Sequence, residues 1–463
     1  MSWTRPDRIA VPSRDDDVVR AASEVVGGPL GRYAVAAARG WRYYAAVLAA
    51  ASSVPVGLGV VERAHCIAVG WSSPDQFWHA CFSDLPATYK DAGLSSGVLA
   101  FLAGGGGAPS PMQPPLTAFV MTLVASVVPS GTVDERMLFY FGLWAVLGAV
   151  LIALTTWWTT ASVRRFPLRG AHVALSPVVL LTLVVAPDVL GVALLAAALY
   201  CWSRERLLLC GVLFGLAISA RTYPLVVLMA LLLVSVRAGR VEAWARTAGA
   251  ALLTFGVVLV AFGWLNSAAA VRAYQGWYDA AAGFGSPWLL PQLAGYPLPP
   301  VAVTVLSVLG WVAALGAGAV LALAARRRPG VAEVSLVMLA IVMVTGKSMP
   351  VQESLWLVPF VALVGLRWKD HLYWAGTESL HFVALWLYLA AASVPDRGLP
   401  AGWYALFLLL RLTGVGWLVH RTWRVAWSRA PLAIEPDDPE QDDADELGGP
   451  LHGAPDAVIV RFA

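Results

Sequence analysis

Apolar residues recur in long runs from Tyr43 to Val419, separated by short polar or basic breaks. Runs long enough, or nearly long enough, to cross a hydrocarbon layer of ~30 Å lie at about 43–61, 137–161, 173–187, 189–203, 207–220, 222–236, 247–265, 300–324, 332–345, 354–367, 371–394 and 403–419. The pattern predicts about twelve transmembrane helices. Several of these runs are too short for a straight crossing, so short, tilted or locally broken helices surrounded by protein are expected.

Basic residues orient the spans. With the N-terminus in the cytoplasm, the clusters up to Arg42, at Arg164/Arg165/Arg169, Arg204/Arg206, Arg237/Arg240/Arg246, Arg326/Arg327/Arg328, Arg367/Lys369 and in the C-terminal tail all fall on one side. Of the 32 Lys and Arg residues, only Arg63, Lys90, Arg136, Arg221, Arg272, Lys347 and Arg397 fall on the other, with Arg411 inside a span. Such an excess of cytoplasmic cations sets topology. A full crossing by the apolar stretch Pro114 to Val128 would put every later arginine cluster outside. It is therefore read as a surface or re-entrant helix within a long first external loop, residues 62–136.

Three regions result: a cytoplasmic N-terminal segment, 1–42; a transmembrane domain, 43–425; and an acidic, Pro-containing tail, 426–463, too polar to bury a core and expected to be disordered and cytoplasmic. No cleavable signal is evident, because several charges precede the first apolar run. Composition closes other classes. The chain is 59% hydrophobic and 13% charged, against roughly 25% charged for a soluble domain. A net charge of +3 over 463 residues is no footprint of a nucleic-acid binder, and the short alternating strands of an outer-membrane barrel are absent. The fold class is an all-α polytopic membrane protein, expected in the plasma membrane with both termini cytoplasmic.

Candidate chemistry gathers on the external side. Cys66 and Cys81 share one external loop, and a disulfide between them suits an oxidising compartment; two buried thiols are the alternative. Cys201 and Cys210 flank a cytoplasmic turn and read as small apolar residues. No cysteine has metal-site spacing with a histidine, and no metal site is assigned. The stretch Gly70 to Pro86 mixes aromatics with acids, as a sugar site does, with Trp71 and His79 as candidate contacts. Asp84 is placed to accept the proton of an attacking hydroxyl; alternatively it caps the next helical turn, with Pro86 near its start.

Arg221 in Ala-Arg-Thr-Tyr-Pro, and Lys347 in Gly-Lys-Ser-Met-Pro-Val-Gln-Glu with Gln352 beside it, bring cations between apolar spans. Cations from different loops suit a lipid phosphate; snorkelling to headgroups is the alternative. Asn266 to Trp288 forms a later external loop with Arg272, Trp277 and Asp279. Asp188 is positioned to hold a substrate or pair with a cation. Glu378, His381 and Arg411, inside late spans, are candidates for a buried polar cluster.

The residues Cys66, Gly70-Trp71, Cys81-Phe82-Ser83-Asp84-Leu85-Pro86, Tyr89 and Gly93-Leu94 resemble the first external loop of actinobacterial membrane proteins in or near glycosyltransferase family 87. Those are polyprenyl-phosphate-mannose-dependent enzymes of the C-type superfamily. Lys347 to Gln352 with Leu355-Trp356-Leu357-Val358-Pro359, and Asn266, Trp277 and Gly285-Ser286-Pro287-Trp288, resemble that family's later external segments. The resemblance implies a C-type glycosyltransferase fold with an external active site, a lipid-phosphate sugar donor and inversion in one displacement. An aspartate matching Asp84 is then the base, and Asp188 matches a second acid recurring in the superfamily.

Two departures stand out. Gln113 occupies a position where relatives carry a glutamate, and an amide can hydrogen-bond a hydroxyl but takes no proton near neutrality. Glu353 replaces a tyrosine and adds an acid that can pair with Lys347. The leading expectation is an inverting glycosyltransferase moving a sugar, mannose foremost, from polyprenyl phosphate to a cell-envelope glycolipid or glycan. The alternatives are a catalytically altered scaffold of the same fold, motivated by Gln113, and a lipid-linked-sugar flippase or transporter. Membrane lipids are the other partners and nucleic acid is not one. No cofactor is implied, and the need for a divalent cation stays open.

Overall fold

A computed structural model of the chain describes residues 16–33, 39–105, 108–394, 396–428 and 446–460. Among them every regular element is a helix. Five helices are long and apolar enough to cross a membrane: Trp41–Glu62, Val133–Ser162, Val241–Leu265, Pro300–Ala324 and Ala401–Trp427. Each matches a predicted span, and the protein is a helical membrane protein. Helices Val189–Ser203, Leu207–Ala220, Pro224–Arg237 and Val331–Val344 are shorter and far more buried, with most of Val331–Val344 inaccessible. The long helices instead expose residues such as Val257, Val260 and Val312, as lipid-facing walls would.

The run predicted at 173–187 is not a single helix. It divides into Ala171–Ala174 and Pro177–Thr182, because Pro177 has no amide hydrogen to donate and restricts the residue before it. The Ser176 hydroxyl caps the second piece through the Val178 amide. The Arg63 guanidinium, fully buried, donates to the Leu181 and Gly59 carbonyls. The run near 354–367 is likewise a 3₁₀ turn, Val351–Trp356, followed by the short helix Val358–Val364. Both broken segments are enclosed by other helices, the condition under which irregular backbone is tolerated at membrane depth.

The stretch from Pro114 to Val128 forms the helix Pro115–Ala125. Its 11 residues extend about 17 Å at 1.5 Å per residue, too little for a crossing. It lies against the end of Leu207–Ala220, where Thr117 Oγ1 donates to the Ala220 carbonyl at 2.9 Å.

The basic turns converge at one end of the bundle, and the C-terminal residues bind them. The Arg165 amide donates to the Glu446 carboxylate at 2.9 Å, and Arg237 and Arg328 both reach Asp456, at 2.8 and 3.5 Å. Leu447 and Leu451 are buried, and the Trp202 indole donates to the Gly448 carbonyl. The expected disorder of the tail is therefore corrected for residues 446–460: acids and leucines spaced among polar residues find arginine-lined and apolar seats there. Residues 429–445 lie outside the described residues.

Candidate functional site

At the opposite end, the loop carrying Asp84 closes onto the break before Val189–Ser203. A disulfide joins Cys66 and Cys81, with Cα atoms 5.8 Å apart. Two residues on, buried Ser83 donates its hydroxyl to the Val184 carbonyl at 2.7 Å, and the Asp84 amide donates to the Val185 carbonyl at 2.8 Å. Ser83 is also the N-cap of the helix Asp84–Asp91, accepting from the Leu85 amide. The capping role considered for Asp84 thus belongs to its neighbour, and the Asp84 carboxylate makes no hydrogen bond among the described residues.

The Val184–Val185 backbone leads directly into Asp188. This aspartate is buried and takes Arg221 in a side-on pair, Nε to Oδ1 at 3.0 Å and Nη2 to Oδ2 at 2.9 Å. The Trp356 indole donates to Oδ1 at 3.2 Å. Arg221 ends Leu207–Ala220 in an extended conformation, and Pro224 starts the next helix, so the guanidinium sits between two helix ends. Its second terminal nitrogen, Nη1, makes no hydrogen bond among the described residues.

Asp84 feels this pair. Its pKa is raised to about 6, by burial first and by the Asp188 charge second, with Arg221 opposing both. Burial also works against the Arg221 charge, but Asp188 and then Glu353 outweigh it and hold the guanidinium above its ordinary value. Glu353 acts on Arg221 and Tyr223 and makes no ion pair with Lys347 among the described residues. One of its carboxylate oxygens is buried without a hydrogen-bond partner among the described residues. A half-buried carboxylate that titrates near neutrality, beside an acid–arginine pair with a spare donor, is suited to proton transfer next to an anion.

Residues 112–346 match the model of glycosyltransferase family 87. The chain belongs to glycosyltransferase family 87. No curated protein and no solved structure matches it. The matched segment contains Gln113, Asp188, Arg221 and Arg272, stops one residue before Lys347, and leaves out Asp84 and the cysteine loop. Asp84 is tied to the family 87 segment by the Ser83 hydroxyl on the Val184 carbonyl and by its own amide on the Val185 carbonyl.

The remaining candidates are distributed around that centre. Lys347 is buried and donates to the carbonyls of Tyr278 at 2.7 Å and Ala280 at 2.9 Å, with the Trp277 ring 4.8 Å from its ammonium. It ties its own loop to the late external loop, as do the bonds from Gly283 to the Lys347 carbonyl and from Ser286 to the Gly346 carbonyl. Beside it, Val271, Tyr274, Gln275, Tyr278 and Asp279 line an open cleft of about 540 Å³. Arg272 donates to the Ser110 carbonyl at 3.1 Å, close in sequence to Gln113, whose side-chain oxygen is buried and has no hydrogen-bond partner among the described residues. Gln352 is buried, Trp71 packs on Phe141, and His79 joins His65 and Asp75 away from the acid–arginine pair.

Beneath the site, the expected polar cluster in the late spans is present. Arg411 pairs with Glu378 at 2.9 Å, reaches the Ser354 hydroxyl at 3.0 Å and donates to the Met349 carbonyl. His381 lies 3.4 Å from the Tyr404 hydroxyl. Sequence reasoning missed Trp356 as a partner of Asp188 and Tyr223 as a neighbour of Glu353. No sequence signal marks the first: a Cβ at Gly191 would come within 2.6 Å of the Trp356 ring, a match of shape that exists only once the two segments are packed together.

Proposed function

We propose that this family 87 protein is an inverting glycosyltransferase that takes a sugar, mannose foremost, from a polyprenyl phosphate and passes it to a cell-envelope glycolipid or glycan at the external face of the plasma membrane. The basic end of the bundle then faces the cytoplasm and the Asp84 end faces outward. Asp84 takes the proton of the acceptor hydroxyl as its oxygen attacks the anomeric carbon from the face opposite the phosphate. The bond from that carbon to the phosphate oxygen breaks, its electron pair leaves with the lipid phosphate, and the anomeric centre inverts.

Developing charge on the phosphate is met by the spare nitrogen of Arg221 and by the third N–H of Lys347, whose other two are held by carbonyls. Asp188 keeps the guanidinium plane in one orientation. The aromatic cleft at Tyr274 and Tyr278 suits a sugar of the donor or acceptor. The observation that carries this reading is the Asp84 carboxylate, unbonded and held beside the Asp188–Arg221 pair by the Ser83–Val184 contact.

The deciding experiment measures transfer from a labelled polyprenyl-phosphate sugar by purified protein and its Asp84→Asn variant. A general base accounts for about 10²- to 10⁴-fold in rate, so the variant is expected to lose transfer by that factor and keep donor binding. Undiminished transfer overturns the base assignment. Wild-type protein that binds a donor but transfers from none points instead to the scaffold reading that Gln113 favours. Movement of labelled lipid across proteoliposomes without transfer points to a flippase.

A further inference from the structure

A second cluster of ionisable side chains lies on the cysteine loop, outside the acid–arginine centre. The His65 ring nitrogen Nε2 is 2.6 Å from Asp75 Oδ2, and His79 Nδ1 is 3.3 Å from Asp75 Oδ1. The ligand atoms of all three residues lie within 4.8 Å of one another. The two imidazoles are stacked, centroids 3.5 Å apart and planes 16° from parallel. We propose that His65, Asp75 and His79 form a binding site for one divalent transition-metal ion of the zinc class.

The donor set selects the metal. Two imidazoles and one carboxylate suit zinc and its neighbours in the first transition row, whereas magnesium and calcium favour all-oxygen sites. Ligand bonds of about 2.0–2.2 Å to a tetrahedral ion put neighbouring donor atoms about 3.3 Å apart, so the observed spread closes by side-chain rotation. Three protein ligands leave one position for water, and the side chains are 35%, 35% and 45% exposed, so an ion can enter from solvent. Arg397, stacked on Trp78 at 3.8 Å, is the nearby cation acting on Asp75, and it tempers the affinity without occupying the ligand atoms.

The backbone prearranges the three residues. His65 adjoins Cys66 and His79 lies two residues before Cys81, so the disulfide holds the two histidines on facing segments. Asp75 and His79 are one helical turn apart, with Asp75 opening the turn Asp75–Trp78. Such preorganisation removes most of the ordering cost of binding. A bound ion would brace the loop that runs into Ser83 and Asp84. The site does not depend on the transfer chemistry proposed above.

The test titrates Zn²⁺ alone into tag-free, full-length protein in detergent with the disulfide intact, in competition with a chromophoric chelator. One ion per chain at micromolar affinity or tighter is expected, together with a rise in thermal midpoint on adding Zn²⁺. His65→Ala/His79→Ala should weaken binding about tenfold or more and abolish that rise, and Asp75→Asn should weaken it as well. His452→Ala, at an exposed histidine elsewhere, should change nothing. Equal thermal midpoints of the wild type and the double variant in EDTA show that the substitutions left the fold intact. The proposal is overturned by absence of saturable one-to-one binding, by binding that survives the double substitution, or by equal competition from Mg²⁺.

Discussion

Arg221 grips Asp188 with two parallel hydrogen bonds, Nε to Oδ1 at 3.0 Å and Nη2 to Oδ2 at 2.9 Å. The Asp188 side chain is wholly buried and that of Arg221 is 21% exposed. A pair so placed is coupled, because either member alone would leave a charge uncompensated. Arg221→Met is expected to destabilise the protein by about 3–5 kcal/mol, and Arg221→Met/Asp188→Leu by clearly less. Denaturant or thermal unfolding in detergent reads the difference; equal losses in the two variants would show that the pair is not coupled.

The second prediction concerns pH. Asp84 has a pKa raised to about 6, and a general base works only when ionised. Transfer is expected to be level above that value and to fall tenfold per unit of pH below it, provided no other group titrates first. A profile flat from pH 7 to 5 would contradict this. The stability sign is opposite: the unfolded chain ionises this carboxyl at lower pH than the fold does, so ionisation costs stability increasingly from about pH 4 to 6 and fully above. Asp84→Asn should therefore raise the melting temperature at pH 7.5 while removing activity, and leave it near the wild-type value below pH 4.

Gly191 tests the link between shape and charge. A methyl group at this position would meet the Trp356 ring at 2.6 Å, and the buried indole has no slack to yield. Gly191→Ala is expected to cost about 1–3 kcal/mol by overpacking and to pull the indole N–H from Asp188, lowering transfer with little effect on folding yield. A variant with wild-type melting and wild-type transfer would mean that the Trp356–Asp188 bond is dispensable.

The C-terminal contacts predict a stability effect remote from the site. Arg237 is buried and donates to Asp456 and to the carbonyls of Ala322 and Ala325. Asp456→Ala leaves the carbonyl bonds but removes the carboxylate, with an expected loss of about 1–3 kcal/mol. Transfer per folded molecule should not change, since the contact lies at the other end of the bundle. Unchanged unfolding would show that the tail adds no stability.

Much of this molecule is legible in its sequence because the bilayer imposes a one-dimensional rule. An apolar run must be about as long as the hydrocarbon is thick, so the runs at 43–61, 137–161, 247–265, 300–324 and 403–419 map onto long helices with small shifts at their ends. The bias of arginine clusters excludes a crossing by Pro115–Ala125 for a similarly simple reason. The split at Pro177 was not read from the apolar run 173–187, because a proline divides a helix at membrane depth only where neighbours, here Arg63 and Ser176, are present to take up the freed backbone groups.

Residue types alone determined that Asp188, Arg221 and Lys347 are costly to place near a membrane and so need partners. Tertiary structure decided which partners. Asp188 and Arg221 are brought together from different helix ends, Lys347 turns to the Tyr278 and Ala280 carbonyls, Ser83 takes the helix cap and leaves Asp84 free, and His79 turns to Asp75 and His65. Pairing of side chains depends on where helix ends meet in space, and that follows from packing among the whole set of helices. A linear pattern of apolar and charged residues encodes the demand for a partner; only the packed fold supplies one.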